Sequence, residues 1–372
     1  MRIVHCFRSP VGGIFRHVRD LCEAQVAAGH EVGIVCDSTT GGAFEDQLFA
    51  EIGAKLSLGV TRTPMQRHVG PGDIGAAWRT LQIIRRMNPE VLHGHGAKGG
   101  AYARLFGTAL RMSGRTVARF YSPHGGSLHY DANTRTGRFF FGLEAMMERF
   151  TDHIFFVSRY EQDAYERKVG APRVPTSLIY NGLRSSEFEP VVDVPDAADF
   201  LYVGMMRDLK GPDLFIAALK ETERRAGRAL RAVMVGDGDD LPKYIAQAKA
   251  LGFGGRITFH PAMPAREAFA LGRVMVVPSR AEAMPYIVLE ALAAGKLLVA
   301  TAVGGIPEIF GENTPVLVFP SVASLAEKMT AALQDETAYR RLMPADREVR
   351  ARFGADVMAD RIEAVYRETL RG

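Results

Sequence analysis

Short apolar runs alternate with amphipathic stretches along the whole chain of 372 residues. RIVHCF, at residues 2–7, predicts a strand and Gly12-Gly13 a turn. Ile14, Val18, Leu21, Cys22 and Val26 then recur at helical spacing up to Gly29, which suits a C-terminal cap. EVGIVC predicts the next strand. EVLHGH after the Asn88-Pro89 break, TVARFY, DHIFFVS and TSLIYN predict four more, each preceded by a helix-patterned stretch. Strands that alternate with helices imply a parallel sheet covered on both faces.

The stretch SSEFEPVVDVPDAAD, with Pro190 and Pro195 and few periodic apolar positions, interrupts this rhythm and reads as an interdomain linker. The rhythm then resumes with DFLYVG, RAVMVG, RITFH, RVMVVPS and KLLVAT. The expected fold is α/β, two Rossmann-like, doubly wound parallel-sheet domains in series over 1–187 and 188–353. A last helix, 354–372, has no strand after it and is expected to pack back on either domain. Ligands of such sheets bind beyond the carboxyl ends of the strands, so the expected site is a cleft faced by both domains.

Composition narrows the class. With 47% apolar and 24% charged residues the chain is an ordinary globular one, not disordered, collagen-like or coiled-coil. Cys6, Cys22 and Cys36 have neither CxxC spacing nor an even count, which argues against a disulfide framework or a zinc knuckle. The opening MRIVHCFRSP is too short an apolar run for a signal peptide, and no stretch reaches the roughly 18 apolar residues of a membrane span. A cytoplasmic protein is expected. The net charge of +4 is uneven: residues 1–190 hold 23 Lys and Arg against 18 Asp and Glu, and the remainder 23 against 24. Nine of the ten histidines also fall in the first part. A mildly basic half suits anionic partners such as phosphates or a membrane surface.

Four loops follow predicted strands. Ser9-Pro10-Val11-Gly12-Gly13 leads into a helix whose backbone N–H groups would face an anion, although a tight turn explains two glycines equally well. In His93-Gly94-His95-Gly96 the two histidines read as facing opposite sides of a strand, a poor metal pair. His124 lies in the Pro- and Gly-bounded loop after TVARFY, where a ligand contact is more natural than a core position. Gly204-Met205-Met206-Arg207-Asp208-Leu209-Lys210-Gly211 places two cations where charge-assisted hydrogen bonds to a diphosphate are strong.

The densest constellation is Ser279-Arg280-Ala281-Glu282-Ala283-Met284-Pro285-Tyr286-Ile287-Val288-Leu289-Glu290-Ala291. Pro285 suits a first helical turn, leaving Glu282 in the preceding loop and Glu290 on the helix. Were the interval helical, eight residues would separate the two backbones by about 12 Å. That exceeds the roughly 5 to 9.5 Å of a hydrolytic carboxylate pair. Acceptance of hydrogen bonds from sugar hydroxyls is the better role for both. Asp237-Gly238-Asp239 has the D-x-D form of a divalent-cation site, yet in a Gly-rich turn it reads as readily as helix capping.

Taken together these residues resemble the family 4 retaining glycosyltransferases of GT-B fold. The resemblance rests on the E-x7-E pattern of Glu282 and Glu290, on Lys210-Gly211 after Gly204, and on Gly12-Gly13 and Pro123-His124-Gly125. It is supported by Val157-Ser158 with Glu161 and by Ile179-Tyr180-Asn181-Gly182. It runs the length of the chain. GGSLHY and EAMPYIVLEA look like bacterial enzymes of exopolysaccharide or lipopolysaccharide synthesis.

The resemblance implies transfer of a sugar from a nucleotide diphosphate donor, with retained configuration and no essential metal or cofactor. The acceptor would be a glycan or a lipid-linked molecule, met at the cytoplasmic face of a membrane whose anionic surface the basic half would touch; no nucleic acid is expected as a partner. His124, Glu282 and Lys210 would be catalytic. Gly12, Gly13, Arg207, Lys210, Glu282, Ala283, Met284, Pro285, Tyr286 and Glu290 would line the donor. Lys210 would neutralise the diphosphate, Glu290 bind the ribose and Glu282 face the donor sugar, with His124 beside the reaction centre. The family usually has Arg after the glycine matched by Gly204. Here that residue is Met205, and Arg207 stands two positions later for the same phosphate. The competing classes are an epimerase or phosphorylase of the same fold and a non-catalytic nucleotide-sugar binder. An NAD enzyme is disfavoured, because no G-x-G-x-x-G follows the first strand.

Overall fold

The computed structural model describes residues 1–65, 72–311 and 314–371. The chain forms two compact units, one of Met1–Gly182 with Ala355–Gly372, the other of Leu183–Gly354.

The first unit is a seven-stranded sheet of β1 (Arg2–Phe7), β2 (Glu31–Asp37), β3 (Gly59–Thr63), β4 (Val91–His95), β5 (Ala118–Ser122), β6 (His153–Phe156) and β7 (Thr176–Leu178). Their order is β3-β2-β1-β4-β5-β6-β7, with every neighbouring pair parallel. The strands at the middle of the sheet are buried on both faces, which is why their sequences read as continuous apolar runs. β3 escaped the sequence pattern because Gly-Val-Thr-Arg-Thr holds a single apolar residue, and its first four residues are only half-buried. Gly12-Gly13 is not a separate turn: the helix Gly12–Ala27 starts there, and Gly29, at φ +80°, closes it by donating to the Val26 carbonyl.

The second unit contains β8 (Ala198–Val203), β9 (Ala232–Val235), β10 (Ile257–His260), β11 (Gly272–Val277), β12 (Leu297–Thr301) and β13 (Leu317–Val318), ordered β10-β9-β8-β11-β12-β13 and again parallel. The proline-bearing stretch before β8 is pinned to this unit. Val191 and Val194 donate to the carbonyls of Ala294 and Ala270, and Lys296 pairs with Asp193.

The C-terminal helix Ala355–Arg371 packs on the first unit, where Met358, Ala359, Ile362 and Tyr366 join Ile3, Val91, Phe120 and Phe155 in one core cluster. Both sheets have a topological switch point, between β1 and β4 in one and between β8 and β11 in the other. There consecutive crossovers run to opposite sides and open a crevice at the strand ends.

Candidate functional site

In the second unit the switch point is built from loops that interlock. The loop after β8 carries Arg207 and Lys210, and the loop after β11 carries Ser279 to Pro285. Arg280 ties them together: its backbone N–H donates to Leu209, and its guanidinium forks onto Asp213 at 2.6 and 2.8 Å. The turn after β12 closes the other side. Gly305 donates to the Ala283 carbonyl, and a Cβ at Gly304 would sit 1.7 Å from the Glu282 carbonyl oxygen, so only glycine fits.

Glu282 is thereby fixed 7% exposed, and its partner is Lys210, whose ammonium lies 2.7 Å from both carboxylate oxygens. Ser279 Oγ adds a third hydrogen bond at 2.7 Å to Oε1. The two residues expected to serve separate parts of a donor therefore hold each other. An ammonium has three protons and a carboxylate about four acceptor positions, so Lys210 keeps one proton and Glu282 roughly one acceptor position for a ligand.

Arg207 stands apart: it is exposed, and among the described residues its side chain makes no hydrogen bond or ion pair. Met205 is 47% exposed beside it. The helix Tyr286–Ala293 starts one residue later than the sequence suggested, with Pro285 at the cap. Pro285 itself makes no side-chain cap to the N–H groups that follow it. Ala283, Met284 and Pro285 link Glu282 to Tyr286, which is 8% exposed, and Glu290 is half-buried one turn from the helix end. Asp237 and Asp239 are exposed. Asp237 accepts from the Ala262 N–H at 2.9 Å, and among the described residues neither acid joins a trio of potential metal ligands.

The first unit gathers its candidates around histidines. His93 and His95 do not face opposite sides as the sequence reading held. Residues two apart in a strand share a face, and their ring centroids are 4.0 Å apart. The parallel register sets His5 of β1 beside His93 of β4. His17, one turn into the helix that Gly12 and Gly13 begin, lies 4.7 Å from the His124 ring and contacts Asn181 at 3.1 Å. Gly12 and Gly13 are exposed, and the capping residue Val11 makes no side-chain bond to the N–H groups that follow.

His124 and Gly125 are both left-handed, φ +50° and +77°, a costly conformation for a histidine. Glu161 holds this turn by accepting from the Gly125 N–H, and its other oxygen accepts from Val157 at 3.0 Å. Behind the loop, buried Glu144 accepts from Arg104, Tyr121 and Ser127 at 2.9, 3.0 and 2.8 Å.

Burial holds these imidazoles neutral. It lowers His5 to about 4 against a hydrogen bond with Gln25, and His17 to about 4 against one with Asn181. His93, His95 and His124 also fall well below the ordinary value, chiefly through burial and then through neighbouring histidines. Two trios, His5-His93-His95 and His17-His95-His124, bring one nitrogen each within 4.8 Å. The nitrogens of His5, His93 and His95 are already engaged with one another or with Gln25, Ser122, His124 and Tyr366 at 2.5 to 3.1 Å. A metal would have to break these bonds. His5, His17, Gln25, Ser279 and Glu161's grip on Gly125 were absent from the expected site; the signal for His5 was its register against His93, which a one-dimensional reading lacks.

The family model described as Glycosyltransferase Family 4 matches residues 11–187, and that described as Glycosyl transferases group 1 matches 185–349. Among curated proteins, the D-inositol 3-phosphate glycosyltransferase of Segniliparus rotundus is 29% identical over 57% of this chain and 49% of its own length. A glycogen synthase of Mycobacterium tuberculosis is 25% identical over 97% of this chain and 92% of its own. The matched region spans about half the length of the first of these relatives.

Among solved structures, Anabaena HepE in complex with UDP and glucose superposes with a TM-score of 0.78 at 17% identity, over 98% of this chain and 99% of that one. The sucrose-phosphate synthase of Thermosynechococcus elongatus gives 0.78 at 20% identity over 99% of each. WaaG, a glycosyltransferase involved in lipopolysaccharide biosynthesis, gives 0.68 at 16% identity over 98% and 99%. These likenesses establish the GT-B fold.

Proposed function

The chain belongs to glycosyltransferase family 4, and from that premise we propose that it moves a sugar from a nucleoside diphosphate sugar to a glycan or lipid-linked acceptor of a cell-surface polysaccharide. The anomeric configuration is retained and no metal is needed. The observation that carries the proposal is the Lys210–Glu282 pair at the switch point of the second unit, in the loop that leads into the helix Tyr286–Ala293. The third ammonium proton of Lys210 meets the leaving diphosphate, with Arg207 as a second cation.

Departure of the nucleotide develops negative charge, and fixed cations with backbone N–H groups stabilise it without reorganising. The acceptor hydroxyl attacks from the leaving-group side, and the departing phosphate oxygen takes its proton. Glu282 offers its remaining acceptor position to a donor-sugar hydroxyl, and Glu290 binds the ribose. On the first unit, His124 and the Gly12-Gly13 helix start face a carbohydrate substrate.

A thermal-shift screen of UDP, GDP and ADP sugars tests donor binding, since a ligand of the folded state raises its apparent stability. UDP sugars lead the panel because HepE was solved with UDP. Stabilisation by a nucleotide sugar, with nucleotide release once acceptor is added, is the expected result. Binding without any release favours the non-catalytic reading, and no binding at all sinks the donor site. Glu290→Gln is expected to weaken donor affinity by about 10- to 100-fold, because a charge-assisted hydrogen bond contributes about 1.5 to 3 kcal/mol. Calorimetric titration of the donor measures it, and unchanged affinity removes Glu290 from the ribose.

A membrane-facing acceptor has its own support. No helix among the described residues is long and apolar enough to cross a membrane. The helix Arg135–Met147, however, exposes Phe139, Leu143 and Met146 to 66%, 36% and 48%, spaced along one face, with Arg135 and Arg138 exposed at its start. Of the three consecutive phenylalanines only Phe141 is buried, while Phe140 is half-buried and stacks on Tyr130. Weak binding to anionic liposomes is expected, lost as salt screens the charges and absent on neutral liposomes. Cosedimentation at two salt concentrations checks this, and an empty anionic pellet at low salt removes the surface contact.

A further inference from the structure

Four buried or partly buried side chains of the first unit form one unbranched hydrogen-bond chain. Gln25 Oε1 lies 2.8 Å from His5 Nε2, His5 Nδ1 lies 3.0 Å from His95 Nε2, and His95 Nδ1 lies 3.1 Å from His124 Nε2. Gln25, His5 and His95 are at most 1% exposed, so His124, partly exposed, is the member of the chain that a ligand can meet.

A neutral imidazole has one donor and one acceptor nitrogen, and burial keeps these three rings neutral near pH 7. The proton order then follows from the glutamine. An amide oxygen only accepts, so His5 Nε2 carries the hydrogen and His5 Nδ1 the lone pair. His95 must donate from Nε2 to that lone pair, which leaves its own Nδ1 to accept from His124 Nε2. The last free position, His124 Nδ1, is a lone pair.

No ring can reverse alone, because reversal sets two hydrogens or two lone pairs against each other in a buried contact. The amide contributes its oxygen to the chain. Beyond the amide, Tyr366 reaches His93 Nδ1 at 2.5 Å and His93 Nε2 reaches Ser122 at 2.8 Å, while the Gln25 amide nitrogen is buried without a hydrogen-bond partner.

We propose that Gln25, His5 and His95 are positioning residues that fix the tautomer of His124, so that it presents Nδ1 as a hydrogen-bond acceptor to a hydroxyl of the carbohydrate substrate. The tautomer order rests on the Gln25 amide oxygen facing His5 Nε2, whereas the hydroxyl contact rests on the transferase reading above.

Long-range 1H–15N correlation spectra of the full chain, 15N-labelled at histidine and recorded at pH 7.5, test the order directly. Assignment uses single His→Gln variants. The expected result is the Nε2–H tautomer at His5, His95 and His124 alike. An Nδ1–H form or a mixture at His124 in the unaltered protein overturns the relay, and this reading needs no altered fold.

Gln25→Met removes the terminal acceptor and is expected to give His124 a mixed tautomer signal. The KM of the sugar substrate should rise about 3- to 10-fold, the worth of one neutral hydrogen bond, with kcat little changed. A purely structural role for Gln25 would leave the His124 tautomer as it was, and that outcome overturns the proposal. A changed tautomer with unchanged KM overturns the hydroxyl contact. An unaltered protein that shows the ordered chain but transfers no sugar from any donor overturns the transferase reading, and with it the hydroxyl contact, while the relay is already decided by the spectrum.

Discussion

Lys210→Ala is expected to lower turnover at saturating donor by about 10² to 10³, the loss that follows removal of one preorganised stabiliser of developing charge. The structure sharpens the reason. Lys210 is held by both oxygens of Glu282, which Ser279 and the Gly304 turn keep buried, so the ammonium is in place before any donor arrives. Its reorganisation cost is met by folding and not at the moment of reaction. Alanine also leaves a buried carboxylate without its cation, and part of any loss would come from that charge.

Glu282→Gln in the Lys210→Ala background separates the two effects. If the double variant stays as slow as the single one, the missing cation is the cause; if it recovers, the stranded carboxylate is. Arg207→Ala is expected to cost less, since among the described residues none holds its exposed side chain. Steady-state rates with saturating donor measure all three, and a Lys210→Ala protein of unaltered rate removes Lys210 from the diphosphate.

How far these sites could be read in one dimension follows from where their information lies. The strands RIVHCF, EVGIVC and DFLYVG were legible because central parallel strands are apolar on both faces. β3 and the two-residue β13 were not, because Gly-Val-Thr-Arg-Thr and Leu-Val carry too short an apolar run to stand out. Lys210, Glu282 and Glu290 could be picked out as candidates because they follow strand ends in the sequence pattern. That Lys210 and Glu282 are each other's partner was not legible, since 72 residues separate them and only the adjacency of β8 and β11 joins their loops.

The histidines carry the sharper lesson. The period of two already placed His93 and His95 on one face, so that error lay in the reading and not in the sequence. His5 and His17 needed the β1–β4 register and the packing of a helix on the sheet, which no local pattern encodes.

Acidification is expected to unfold the first unit before the second. His5, His17, His93, His95 and His153 are all buried, and burial lowers each of them, to about 4 for His5, His17 and His153. In the unfolded chain each titrates near the ordinary 6.5. Above that value both states are neutral there and the histidines cost nothing. As the pH falls below 6.5 the unfolded chain binds protons that the folded unit refuses, so stability is lost progressively down to the lowered folded values, about 4 for His5, His17 and His153.

One group fully in this window changes stability by about 1.4 kcal/mol per pH unit, and five acting together by about 7. A loss of that size over one unit is comparable to the whole stability of a typical domain, about 5 to 15 kcal/mol, so the first unit should open near pH 5. The second unit holds a single histidine, His260, and has no such liability. Urea unfolding followed by circular dichroism at pH 7.5, 6.5 and 5.5 should therefore split into two steps as the pH falls. Peptide-resolved hydrogen exchange should show protection lost in residues 1–182 while 183–354 keep theirs. Equal urea midpoints at pH 7.5 and 5.5, or a loss confined to 183–354, would show that these imidazoles are not held neutral by the fold.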